Sequence, residues 1–597
     1  MKGVERNTKQ IEELRRLSNA SFSSGDYVGA RQHLETAVSL GCDDASVLTS
    51  LGYVCHLSGD NTSALKYCEH AKSFAPLLVD NYGNMALALF GLKRHHQALI
   101  VIEEGLSIDP EHDDLWVNHG LALMAMNRPI EAQSSYAKAI RLNPNNVSAM
   151  TNQAIALQEN GLAEQAHDLY QRVSHINSQF TPALSNSLMC AQYHPSLASQ
   201  EIVAQTRRVA EAYIALAQKR KNSHSPESIT HSIPIDCNAK LKVGLYGPDL
   251  RAHPVGWFIR KVIPILAQQF DLHVFFSHAT KDAVSAEIEE SVQAWHNCIG
   301  WSDQRLIEQS QDDGVDIAVD LTGHTAHGRI SAFAKRLAPV QVSWLGFPAS
   351  TGLPTIDAVL LSEDLVTNAT QAYFTEPVIA FDAPQFIYQP PDYIPGVVAP
   401  PCISNGYITF GCFNNLAKLN DSVVSTWALL LKQLPHARLI LKWKSLADGA
   451  IRESVLKRFH AAGVAQTRIE LRGASEHTQM FREYGDIDIA LDPFPFSGAL
   501  TSFEAAWMGL PVVTLASYRP MSRQTLSLNK ALGFADLIAS TPQEYVAAAL
   551  GVAQDISRLK RLRETMRERI ESSSLCDADH MAKAIATQLL KLAKNIK

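Results

Sequence analysis

Five short segments concentrate the residue types that chemistry on a polar or charged ligand would need. In GPDLRAHPVGWF (247–258), His253 follows the apolar run LKVGLY (241–246) and precedes Pro254 and the run FIRKVIPIL. Alternating apolar residues and then a Gly/Pro/Asp turn read as a strand entering a helix. Pro254 suits the first helical position, where its missing N–H costs nothing. His253 then stands at the mouth of a helix, beyond a strand end. The positive end of the helix dipole disfavours imidazolium there. A neutral imidazole could accept a proton or orient a hydroxyl; the alternative is a side chain that only caps free N–H groups.

DLTGHT (320–325) follows the apolar VDIAV and sets Asp320, Thr322 and His324 at a strand's carboxyl end, where open α/β sheets bind ligands. VSWLGFPASTG (342–352) ends another strand in Gly-rich turns that could let backbone N–H groups approach a ligand; for this segment and for DLTGHT alike, an ordinary strand-to-helix loop is the alternative. In FGCFNNLAKLNDSVVSTWALLL (410–431) a strand ends near Phe413, with Asn414, Asn415 and Lys418 in the turn and Asp421 or Ser422 as the expected N-cap of the next helix. A lysine beside a helix start suits a phosphate; a surface lysine is the alternative. In LDPFPFSGALTSFEAAWMGLPVVTL (491–515) a strand ends at Asp492, a turn follows at Gly498, and Thr501 and Ser502 open an apolar-periodic helix. Free N–H groups and two hydroxyls would cradle a phosphate, with Glu504 within reach of a ribose. An ordinary Ser/Thr-capped helix with a first-turn acid is the alternative.

The elements that must hold these segments fall into two kinds. Ala30, Ala64, Ala98, Ala132 and Ala166 stand 34 residues apart, and Pro76, Pro110 and Pro144 keep that step. Gly52, Ala86, Gly120 and Ala154 fill a small-residue slot, and Gly25, Gly59, Lys93, Asn127 and Gly161 mark one turn position. The period is that of the tetratricopeptide repeat, an α-helical solenoid that binds peptides or proteins on a concave face. The array is expected over 11–218, with a polar linker at 219–239. Beyond it, strand-like runs alternate with helical stretches in two series, which predicts parallel sheets in α/β layers. Two Rossmann-like lobes are expected at 240–395 and 400–597, joined by the proline-rich QPPDYIPGVVAPPCISNG (389–406). The stretch 579–596 reads as an amphipathic helix. The first strand is not followed by GxGxxG and there is no Walker A motif, which disfavours a dinucleotide oxidoreductase and a P-loop NTPase.

Taken in order behind the repeats, GPDLRAHPVG, DLTGHT, PVQVSWLGFPASTG, FGCFNNLAK, DIALDPFPFSG and EAAWMGLPVVTL resemble the family of O-linked N-acetylglucosamine transferase and plant SPINDLY, glycosyltransferase family 41, in its bacterial form. The resemblance implies a GT-B catalytic region of two lobes and an inverting protein O-glycosyltransferase. A sugar, N-acetylglucosamine or a related one, would pass from a nucleotide-sugar donor to Ser or Thr of proteins chosen by the repeats. It implies that His253 lies at the sugar–acceptor site and that Lys418 contacts the donor diphosphate. Asn415 would lie near the nucleotide and His477, in GASEH, against the uracil ring. Gly346 would border the sugar, with Thr501 and Glu504 on phosphate and ribose; Gly498, Ser502 and His324 complete the expected donor-binding set. The chain departs from the family in Gly498-Ala499-Leu500-Thr501-Ser502, where Leu500 replaces a hydroxyl. Other readings are a catalytically degenerate repeat scaffold and an N-linked glucosyltransferase acting on asparagine.

Composition narrows the partners. With 46% hydrophobic and 19% charged residues and a net charge of −7, the chain has ample core and no basic stretch suited to nucleic acid. No window has a membrane-spanning run, and MKGVERNTKQIEELRR carries no apolar signal region. Nine cysteines without a CxxC pair suit the cytoplasm. No DxD-type carboxylate motif marks a metal holder, so no metal and no cofactor beyond the nucleotide-sugar co-substrate is expected.

Overall fold

The structure, a computed structural model, describes residues 2–219 and 240–595, so nearly all of the expected linker (220–239) lies outside the described residues. The chain divides into two compact units. One comprises Met1–Ala156 with His175–Asn177 and Ile299–Ser302; the other comprises the remainder.

The 34-residue period is realised as helical hairpins. Helices Ala45–Leu57, Val79–Gly91, Asp113–Ala125 and Val147–Glu159 alternate with Asn61–Phe74, His95–Ile108, Pro129–Leu142 and Ala163–Ile176. The phase-locked alanines 30, 64, 98, 132 and 166 are all fully buried. At Gly52 an added Cβ would sit 2.3 Å from the Cys68 thiol, and at Gly120 it would sit 2.3 Å from the Tyr136 ring. The slot is small because two helix backbones meet there. The turn position is left-handed in each repeat: φ is 81° at Gly25, 83° at Gly59, 58° at Lys93, 59° at Asn127 and 77° at Gly161. Glycine takes that conformation freely and asparagine tolerates it.

The second unit contains two wholly parallel sheets. The first is built from Lys242–Gly247 (β1), Asp271–Phe276 (β2), Ala294–Asn297 (β3), Ile317–Asp320 (β4), Val340–Trp344 (β5), Ala358–Ser362 (β6) and Val378–Phe381 (β7). Their order is β3-β2-β1-β4-β5-β6-β7. The second is built from Thr409–Cys412 (β8), Arg438–Lys442 (β9), Ile469–Arg472 (β10), Ile489–Leu491 (β11), Val512–Leu515 (β12) and Ile538–Ala539 (β13), ordered β10-β9-β8-β11-β12-β13. These are the two expected Rossmann-like lobes. The order reverses between β1 and β4 and between β8 and β11, and ligands bind beyond the strand ends at such switch points. His253 and DLTGHT follow β1 and β4; Lys418 and Gly498 follow β8 and β11. The strands β3, β6, β7 and β13 had no expectation in sequence. β3 is a four-residue edge strand, AWHN, and β13 spans two residues.

Aromatic packing joins the lobes. Phe258, on the helix Pro254–Ile259 that His253 opens, stacks on Phe386 at 4.3 Å and meets Phe503 of the helix Leu500–Trp507 at 5.6 Å. The helix Ala578–Asn595, counted by sequence with the second lobe, packs instead on the first. Its Ile585 and Leu589 close an apolar space with Leu245, Leu266 and Phe270. The helices Thr181–Tyr193 and Ser199–Lys219 also belong to this unit. The Arg519 guanidinium, 6% exposed, donates to the carbonyls of Ala191, His194 (2.9 Å) and Leu197 where these helices meet.

Arg519→Met would remove a charged donor from three carbonyls and strand them without partners. A loss of about 3 kcal/mol is expected, read as a lower denaturation midpoint. An unchanged midpoint would show that these bonds do not tie the helices down.

Candidate functional site

The first lobe supplies a histidine and tightly packed loops. His253 caps the helix Pro254–Ile259 in extended backbone, and its Nδ1 accepts from the Val255 N–H at 3.4 Å. Asp249 Oδ1 lies 3.5 Å from the same nitrogen. At 3.4 Å the cap is weak, and Nε2 has no protein partner among the described residues. Burial, with Arg251 and His278 nearby, lowers the His253 pKa to about 4, so the ring is neutral near pH 7. Burial raises Asp249 to about 6, with Arg251 opposing. The capping alternative is realised, and in this neutral tautomer Nε2 carries the proton and is free to donate. Gly346 has no room for a side chain, since a Cβ would sit 1.9 Å from the Leu321 carbonyl and 3.3 Å from Val255. Its neighbour Leu345 turns the chain at φ 76°. Gly346 thus draws three strand-end loops together.

His324 sits differently from its expected place against the donor. It is 2% exposed, its Nε2 lies 2.8 Å from the Thr351 carbonyl and its Nδ1 2.9 Å from Ser185 Oγ. A carbonyl only accepts, so Nε2 carries the proton and Nδ1 accepts from Ser185. Burial lowers its pKa to about 4. Both ring nitrogens are committed to holding the DLTGHT loop. Asp320 holds the same loop by accepting from the N–H groups of Thr322 and Gly323.

The second lobe brings a buried ammonium, a hydroxyl and a helix start together. Lys418 Nζ donates to Asn414 Oδ1 at 3.1 Å and to the Ser497 carbonyl at 2.7 Å, 4.4 Å from the centre of the Phe496 ring. Burial lowers its pKa to about 8 against the opposing pull of Asp492 and Cys412, so it stays charged at pH 7. Thr501 Oγ1 donates to the same Asn414 oxygen at 3.1 Å. The turn between them is fixed by Asp492, whose Oδ1 accepts the Gly498 N–H at 2.5 Å and whose Oδ2 accepts from Thr514 at 2.7 Å. Gly498 must be glycine, because a Cβ would meet Ser502 Oγ at 2.1 Å and Asp492 at 2.8 Å.

The helix opens at Leu500, one residue before the expected Thr501, with Ala499 as an N-cap that offers no side-chain bond. The N–H groups of Leu500 and Thr501 have no acceptor among the described residues. Ammonium, hydroxyl and two free N–H groups together can hold a diphosphate. Ser502 turns away into the core, bonded to Thr525 at 3.0 Å. Asn415 caps the short helix Leu416–Lys418 through the Ala417 N–H at 3.0 Å. The N-cap of the helix Asp421–Gln433 is Asn420, not Asp421 or Ser422, because its side chain reaches the Val423 N–H at 3.0 Å.

Beside this site His477 Nε2 lies 2.9 Å from Glu504 Oε1, and its Nδ1 2.8 Å from the Tyr393 hydroxyl. Burial raises the Glu504 pKa, with His477 opposing. Trp257 of the first lobe approaches the His477 ring at 6.4 Å. Asn414 and Tyr393 had no assigned role in sequence. Asn414 could have been found as the residue before the expected Asn415, but its partner Thr501 lies 87 positions away.

Two outcomes follow. Affinity for a nucleoside diphosphate should fall above pH 8, by about tenfold per pH unit once Lys418 is neutral. Calorimetric titration across pH should show that limb in the native chain and not in Lys418→Met; an identical limb in both would remove Lys418 from the site. His253→Ala should lower single-turnover transfer about a hundredfold while the melting temperature and nucleotide affinity stay close to native. A matching loss of nucleotide affinity would make His253 a structural cap alone.

Comparison with known proteins agrees with this fold. The model of Glycosyl transferase family 41 matches residues 179–387 and 402–585, and Tetratricopeptide repeat models match 79–112, 113–146 and 135–168. The chain is 35% identical over 349 residues to the probable UDP-N-acetylglucosamine–peptide N-acetylglucosaminyltransferase SPINDLY of Solanum lycopersicum, covering 56% of this chain and 37% of that protein. It is 33% identical over 352 residues to the SPINDLY of Hordeum vulgare, covering 58% and 37%. The chain thus spans less than two-fifths of the length of these plant relatives. A lysine-to-methionine mutant of the Thermobaculum terrenum O-GlcNAc transferase superposes with a TM-score of 0.78 at 26% identity, over 90% of this chain and 98% of that one. With both lobes matched by one family model, the chain belongs to glycosyltransferase family 41.

Proposed function

We propose that this chain is an inverting protein O-glycosyltransferase that moves N-acetylglucosamine from a UDP-linked donor to Ser or Thr hydroxyls. The observation that carries this reading is the convergence of Lys418, Thr501 and the two free N–H groups at the start of the helix Leu500–Trp507. The names of the plant relatives and of the Thermobaculum enzyme support the donor and the acceptor class.

In this reading the diphosphate lies against Lys418 and the helix start. The ribose exchanges with His477 for the Glu504 carboxylate, and the base lies by His477, near Asn415. The acceptor hydroxyl attacks the anomeric carbon as UDP departs from the opposite face, which inverts the configuration. Charge grows on the leaving diphosphate, and donors already fixed in place stabilise it without reorganising. Lys418 and the N–H groups do this, so the transfer step takes no metal. Neutral His253, its Nδ1 accepting at the cap and its proton on Nε2, orients the acceptor hydroxyl by donating to its oxygen. Gly346 keeps the sugar side of the cleft close-packed. Ser502, Gly498 and His324 act as positioning residues. The repeats select the protein acceptor, and the enzyme works in the cytoplasm.

Leu500 favours a second reading of the donor. It occupies the first position of the helix, half-exposed, and offers no hydroxyl. A charge-assisted hydrogen bond there is worth roughly 1.5–3 kcal/mol. If the pocket is a weakened UDP-N-acetylglucosamine site, Leu500→Thr should tighten UDP binding by about tenfold or more and raise transfer. If the pocket is reshaped for another donor, the same change should impair the native donor. Calorimetry with UDP-, GDP- and CMP-sugars, and intact mass of co-expressed proteins, decide between these. No mass increment on any protein with any donor, from a folded chain, would overturn the transferase reading.

A further inference from the structure

The first lobe holds a cluster of metal-ligating side chains apart from the cleft. His273 lies on β2, His296 on the edge strand β3, and Asp313 just beyond the helix Asp303–Asp312. His273 Nδ1 is 2.7 Å from Asp313 Oδ2, and His296 Nε2 is 2.6 Å from the same oxygen. The three ligand atoms lie within 4.8 Å of one another.

We propose that His273, His296 and Asp313 bind one divalent metal ion of the zinc class, which fastens the edge strand of the first lobe to the helix that precedes β4.

Two imidazoles and a carboxylate are a donor set suited to such an ion, with a fourth position for water. Ligand bonds of about 2.0–2.2 Å separate neighbouring donors by roughly 3.3 Å in a tetrahedron, so the contacts open by about 0.6 Å to admit the ion. Small side-chain rotations achieve this. The side chains are 9%, 12% and 20% exposed for His273, Asp313 and His296, which leaves an entry path on the His296 side.

The surroundings orient Asp313 and His296, as outer partners do in metal sites. Gln309 Nε2 donates to Asp313 Oδ1 at 2.8 Å, leaving Oδ2 for the ion. Lys242 Nζ holds the Asp313 carbonyl at 2.7 Å, and the Phe275 ring stacks on His296 at 4.8 Å. His296 pairs in register with Phe275 of β2, so the ligands come from adjacent strands on a fixed pleat. β3 has four residues and, among the described residues, pairs only with β2, so a metal cross-link adds a restraint that its few ladder bonds lack. None of the three residues belongs to the donor site, so the ion serves the lobe's stability and not the transfer step.

The test uses the full chain with any affinity tag removed, stripped with EDTA and dialysed. Zinc titrated by calorimetry should bind one equivalent and raise the melting temperature by several degrees. Cobalt should give the visible bands of a tetrahedral site. His296→Ala, on a partly exposed edge strand, and Asp313→Asn, which keeps side-chain size, should each weaken zinc binding about a hundredfold or more. His436→Ala, an exposed histidine elsewhere, should leave it unchanged. Absence of stoichiometric zinc binding in the native chain, or equal binding in folded His296→Ala, would overturn the proposal and leave a hydrogen-bonded His–Asp–His triad. UDP affinity, measured alongside, reports separately on the transferase reading.

Discussion

A single carboxamide oxygen organises the second lobe's half of the site. Asn414 Oδ1 accepts from the Lys418 ammonium and from the Thr501 hydroxyl, each at 3.1 Å. The first donor comes from the turn after β8 and the second from the helix after β11. The two strands are neighbours in the sheet, but 87 residues separate the partners in sequence. The shared acceptor, with the Lys418 bond to the Ser497 carbonyl, sets the spacing between cation and helix start. Asp492 performs the matching task one layer deeper, where it holds Gly498 and Thr514 so that the helix start cannot shift. Buried carboxylates are tolerated when their lone pairs are filled, and Asp492 fills its own with N–H and O–H donors.

Burial sets protonation on both sides of the cleft, leaving a neutral imidazole on one and a charged ammonium on the other. The same physical cause lowers His253 to about 4 and Lys418 to about 8. One group is thereby uncharged near pH 7 and the other remains cationic. The first starts below neutrality and falls further, while the second starts far above it and does not fall far enough to lose its proton.

Much of this was legible in the chain because its signals are local. Helix hairpins follow from alanine spacing, and the turn position is left-handed even where Lys93 and Asn127 replace glycine. The strands β1, β2, β4, β5, β8, β9, β10, β11 and β12 correspond to apolar runs, as strands covered on both faces require. His253 and Lys418 stood out because turn chemistry places them beyond strand ends. What stayed hidden depends on distant partners. Ser502 was expected to face the ligand, yet Thr525 draws it inward; His324 was expected there too, yet Ser185 and Thr351 occupy its ring. The Asn420 cap was missed because adjacent Asn, Asp and Ser compete equally on type, and only geometry chooses among them. Tyr393 was read as part of a connection, because its meeting with His477, 84 residues on, has no trace in local pattern.

The helix Ala578–Asn595 has a consequence for how the molecule comes into being. Strands of the first sheet are complete by residue 381, yet the apolar floor around Leu245, Leu266 and Phe270 is closed by Ile585 and Leu589. On the ribosome, some two hundred further residues, the whole second sheet among them, are synthesised before that cover arrives. The lobe that forms first in translation is therefore the lobe that finishes last. Its nascent form carries a bare hydrophobic patch throughout that interval, a natural foothold for a chaperone or for a neighbouring chain in the same state.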